Sequence, residues 1–88
     1  MVSLKRARMA KKRFLKSRYF DRKRMTGIGI SRVRECHIDD AADIEKNDHC
    51  IVINFGSIVQ FWELEAVLPE RYYGVRIYAK VVGGITLH

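Results

Sequence analysis

The segment HCIVINFGSIVQFWELEAVLP, residues 49–69, decides the fold. Its first seven residues alternate cleanly, with Ile51, Ile53 and Phe55 on one face and Cys50 and Val52 on the other, the period of a β-strand. Residues 57–68 admit two structures. Ser57 with Gln60 fits a capping box, and Pro69 stops a helix at Leu68. Alternatively Gly56-Ser57 is a two-residue hairpin turn that sets Ile58, Trp62 and Leu64 opposite the first strand. The β-branched and aromatic content of 58–64 favours strand, and helix or strand stays open for 57–68.

Outward from this segment, Gly27 to Cys36 reads as a weak strand, with Ile28 and Ile30 on one face and Val33 out of step. Tyr72 to Val82 is rich in Val, Ile and Tyr and reads as one continuous strand, with Gly83-Gly84 turning into Ile85–His88. Along it Arg76, Tyr78 and Lys80 share one face, while Tyr73, Val75, Ile77, Ala79 and Val81 face inward. An acidic connector, Asp39–Asp48, joins the first two strands. The expected fold class is α+β: an N-terminal basic helical arm (1–25), then a small β-rich body (26–88) built on an antiparallel sheet of four or five strands.

Eighty-eight residues make one small domain, and 48% apolar residues give it enough material for a core. No apolar run approaches the roughly 20 residues of a membrane-spanning helix, and no membrane partner is expected. Two cysteines are too few for a disulfide scaffold, and no apolar signal segment opens the chain, which points to a reducing compartment. The expected location is the cytoplasm or a nucleoprotein particle. A basic, acid-poor start also admits mitochondrial import as the lesser alternative.

Charge is the strongest functional signal. The formal net charge is +7, but residues 1–34 carry thirteen cations against Asp21 alone, a local +12, and residues 35–70 sum to −8. The cations are Lys5, Arg6, Arg8, Lys11, Lys12, Arg13, Lys16, Arg18, Arg22, Lys23, Arg24, Arg32 and Arg34. Such density neutralises phosphates and releases their counterions. Phe14, Tyr19 and Phe20 lie among them as stacking platforms for unpaired bases. Nothing from Ser3 to Met25 is Gly or Pro, so this stretch reads as a weakly amphipathic helix, ordered only against a partner because its like charges repel.

Three functional classes fit this pattern. The first is a non-enzymatic nucleic-acid-binding protein, RNA favoured, acting in a ribonucleoprotein or viral packaging assembly beside protein neighbours or a second copy of itself. The second is a small metal-independent ribonuclease of toxin type, with Arg76, Tyr78 and His88 around the phosphate. The third is a structural subunit of a protein complex. No cofactor is expected. Cys36-His37 and His49-Cys50 mirror one another but lack the two-residue gap of paired zinc ligands, and the cysteines read as small buried apolar residues. The acidic connector lacks the glycine and terminal carboxylate of a calcium loop.

Overall fold

The computed structural model describes residues 1–36 and 46–81. Ser3 opens helix α1 (Leu4–Phe14), its side chain accepting the Arg6 N–H. Strands β1 (Met25–Arg32), β2 (His49–Phe55), β3 (Arg71–Tyr72) and β4 (Val75–Val81) form one sheet in the order β1-β2-β4-β3. A short 3-10 turn, Val33–Cys36, leaves β1, and helix α2 (Ile58–Glu65) lies between β2 and β3. The result is a small α+β protein with two helices and an N-terminal helix.

The sheet is mixed, which corrects the expected all-antiparallel arrangement. β1 runs antiparallel to β2, with a register shift around Thr26, while β2 runs parallel to β4, Ile51 opposite Ile77 and Phe55 opposite Val81. The correction stems from residues 58–64, which are helix rather than the favoured strand. Ser57 accepts the Gln60 N–H at 3.2 Å, as the capping alternative requires. Helix α2 carries the chain past the β4 position to β3, which runs antiparallel to β2, and the hairpin after β3 then brings β4 back between them in the direction of β2. At the entry a Cβ on Gly56 would meet the Thr26 methyl at 3.0 Å, so a side chain there would have to push the Thr26 side chain aside.

The expected strand over Tyr72–Val82 is interrupted. Tyr73 (φ 52°) and Gly74 (φ 77°) both sit in the left-handed region and turn β3 into β4, pairing Tyr72 with Val75. Two successive positive φ values define the primed hairpin turn that matches strand twist. The weak strand over Gly27–Cys36 starts two residues earlier, at Met25, and its last four residues form the 3-10 turn. The Gly83-Gly84 turn and Ile85–His88 lie outside the described residues, as does most of the acidic connector.

Both helices cover one face. Ala7, Ala10 and Phe14 of α1 are buried with Met25, Ile51, Ile53, Phe55 and Val75, and Phe61, Leu64 and Leu68 pack on the same cluster. The basic helix therefore has a partner within its own chain. It also ends at Phe14 rather than near Met25. The Ser17 hydroxyl donates to the Phe14 carbonyl at 2.7 Å, and Tyr19 and Phe20 fold back with ring centroids 6.3 and 6.5 Å from Phe14. A continued helix would turn those rings about 120–140° away from Phe14, so burying them ends the helix.

Ahead of α1, Val2 is tied to the start of β2. Its N–H donates to Asp48 Oδ1 at 3.0 Å, and its carbonyl accepts the His49 N–H at 3.1 Å. Truncation of the central ring, Phe14→Ala, is expected to lower stability by about 3–5 kcal/mol in urea unfolding. Ser57→Ala is expected to lower it by about 1 kcal/mol.

Candidate nucleic-acid interface

Helix α1 has two faces because its apolar residues are spaced at three and four. At 100° per residue, Ala7, Ala10 and Phe14 fall within an arc of about 60° directed at the sheet. Directly opposite stand Lys5, Arg8 and Lys12, all exposed. Lys16 is exposed just beyond the helix end. Among the described residues, no carboxylate pairs with the side chains of this ridge. Lys11, Lys12 and Arg13 occupy the last turn, where the helix dipole favours positive charge.

The flanks of the helix are used structurally. Arg6 Nε donates to the Tyr73 carbonyl at 3.3 Å, and the Arg13 guanidinium lies 5.2 Å from the Tyr73 ring centroid. Two of the thirteen expected nucleic-acid cations therefore brace the hairpin turn. On the other flank, Arg8, Lys11, Lys12 and Leu15 form a shallow concavity of about 350 Å³ against Ile30.

The remaining cations are dispersed. Arg18, Arg22 and Lys23 are exposed on the segment between α1 and β1. The Arg18 guanidinium lies 5.3 Å from the Tyr19 ring, and hydrogen bonding to Tyr19 raises its pKa above the ordinary arginine value. Arg24 pairs with Asp21 at 3.6 Å and Glu63 at 3.5 Å. Arg32 is exposed at the end of β1, and Arg34 donates to Asn47. Of the expected stacking set, Phe14 is corrected by burial, since it is inaccessible, while Tyr19 and Phe20 are half-buried on the core.

The cysteines are buried as expected, Cys36 and Cys50 with sulfurs 3.4 Å apart. His49 Nδ1 contacts the Val2 carbonyl, and His37 lies outside the described residues. Burial first, and the contact with Cys36 second, push the Cys50 thiol up to about 12. Of the ribonuclease set, Arg76 and Tyr78 share a sheet face, but Arg76 is only 9% exposed and His88 lies outside the described residues.

Two features escaped the sequence reading. Helix α2 turns Ile58, Val59 and Trp62 outward, with Trp62 66% exposed, and Val67 is exposed just after the helix. Asn54 Oδ1 is buried without a hydrogen-bond partner, the one such side-chain atom among the described residues, a deficit of about 1–3 kcal/mol. Exposure of one of the adjacent Phe61 and Trp62 follows from strand and helix alike, since both point successive side chains apart; the capping box is the signal that Val59 joins Trp62 outward.

Among the described residues, no helix is long and apolar enough to cross a membrane, and no group of three or more His, Cys, Asp or Glu is placed to hold a metal ion. The molecule is thus a small α+β domain whose N-terminal helix buries alanine and presents lysine and arginine. Comparison with protein-family models, curated proteins and solved structures finds no match.

Trp62 is the only tryptophan, so its emission is expected at the wavelength of a water-exposed indole. A blue-shifted maximum in dilute protein would contradict that exposure. Neither thiol is expected to react with iodoacetamide at pH 8 in the folded chain, whereas both should react in urea. Because folding raises the Cys50 pKa, its contribution to stability is complete below about pH 8.5, where the unfolded thiol is neutral, and declines as pH rises toward about 12.

Proposed function

We propose that this chain is a non-enzymatic nucleic-acid-binding protein, with RNA the favoured ligand, acting as a small component of a ribonucleoprotein or viral packaging assembly. The observation that carries the reading is the outward ridge Lys5, Arg8 and Lys12. Three cations stand on a helix whose opposite face is locked to the sheet, with no carboxylate among the described residues to neutralise them. A rigid row of this kind meets phosphates without first being ordered, which preserves affinity. Lys16, Arg18, Arg22 and Lys23 extend the positive surface beyond the helix.

Burial of Arg76 favours binding over the ribonuclease reading, since a guanidinium that stabilises a phosphorane must reach the substrate. The exposed Trp62 face favours a second role compatible with the first, as a subunit that also meets a protein in its assembly.

The test is equilibrium binding of the full chain to RNA across a salt series. Removing the ridge (Lys5→Ser, Arg8→Ser, Lys12→Ser) should reduce the slope of log K against log salt by about 2, at about 0.7 per lost contact on a single strand. All three side chains are exposed, so the fold should survive. An unchanged slope and affinity in the triple variant would refute the assignment of this ridge.

A further inference from the structure

Strand β1 ends the sheet, with β2 on one side and, among the described residues, no strand on the other. Val33, just past β1, donates its N–H to the Asp48 carbonyl at 2.9 Å, toward β2. The His49 N–H goes to Val2 rather than to β1, which sets the same phase from the partner strand. Backbone groups alternate between the two edges of a strand. Ser31 and Gly29 therefore bond β2, while Ile28, Ile30 and Arg32 turn their N–H and C=O outward. Among the described residues nothing receives them.

This edge lacks the usual protection. Residues 25–31 contain neither a charge nor a proline, and the register shift around Thr26 blunts only the first end. Ile28 and Ile30 stand opposite Ile53 and Ile51, so their side chains lie on the face that α1 covers. The concavity of about 350 Å³ between Ile30 and the α1 flank adjoins the edge on that side. Arg8, Lys11 and Lys12 rim it, and no carboxylate among the described residues pairs with any of them.

We propose that the outer edge of β1 takes an extended acidic segment of a protein partner as an added strand. Its backbone pairs with Ile28 and Ile30, and its carboxylates meet Arg8, Lys11 and Lys12. Main-chain bonds supply the affinity of such an addition, and every second side chain points to the α1 side, where the cations select acids. A second copy of this chain fits worse. Its β1 carries no carboxylate, and antiparallel pairing of the two edges would bring a second set of Arg8, Lys11 and Lys12 beside the first. Because Arg8 and Lys12 also belong to the ridge assigned to RNA, the acidic strand and RNA exclude one another. That exclusion rests on the RNA-binding reading; the strand addition does not.

The experiment is fluorescence anisotropy of the full chain with a labelled, end-blocked heptapeptide of alternating glutamate and valine. The peptide should bind at low salt, and its lysine–valine counterpart should not. Two further peptides are methylated on the amide nitrogens of the glutamates alone or of the valines alone, which blocks one edge of the peptide and keeps every side chain. One of the two should lose about tenfold in affinity, the order of two backbone hydrogen bonds, while the other binds as before. No binding of the parent peptide, or equal binding of the two methylated forms, would overturn the strand addition. So would a chain that is dimeric by sedimentation and that the glutamate peptide leaves dimeric, which would give the edge to a second copy. Unlabelled peptide should also displace labelled RNA. If both bind together, the exclusion falls; if the chain binds the peptide but no RNA, the functional reading falls and the strand addition stands.

Discussion

The structure depends on the burial of Ala7, Ala10 and Phe14 against the sheet. Within α1, Lys5, Arg8, Lys11 and Lys12 form like-charge pairs at spacings of three and four, each unfavourable by about 0.2–0.5 kcal/mol. Complete burial of Phe14 contributes about 1.5–3 kcal/mol, and the Ser3 cap about 1 kcal/mol. Those gains exceed the repulsion, so tertiary packing holds a helix that local charge disfavours. The small alanines matter as much as the ring, because they let the helix backbone approach the sheet closely. The hydrogen bonds of Val2 to Asp48 and His49 fix the other end of the same contact.

How much of this was legible in the sequence depends on whether local pattern and tertiary packing agree. At His49–Phe55 they agree: the strand is central, and its alternation is that of the observed faces. The start of α1 was legible through helix-forming composition, but its end was not. Three aromatic residues within seven positions form a cluster only if the backbone leaves the helix, and composition does not show that. At 58–64, β-branched and aromatic content pointed to strand, while the cap pointed to helix. The cap prevails because Ile58, Val59 and Trp62 stay exposed, so their bulk never packs against a sheet neighbour. Strand direction follows from that helix together with the Tyr73-Gly74 turn, which reverses the chain between β3 and β4.

The candidate site was legible in kind and not in membership. Charge asymmetry located the basic region, yet only the fold separates the free ridge of Lys5, Arg8 and Lys12 from Arg6 and Arg13, which brace Tyr73, and from Arg24, which is ion-paired. Spacing at 100° contains the ridge once the buried face is known, and the buried face is what the sequence pattern under-determines.

The parallel pairing of β2 with β4 also bears on biosynthesis. Phe14 packs in one cluster with Val75, sixty-one residues later in the chain. At roughly 5–20 residues per second, the cationic segment leaves the ribosome several seconds before the strand that completes its apolar seat. Until then its alanine and aromatic face has only Met25, Ile51, Ile53 and Phe55 to pack on, and the seat closes last at β4.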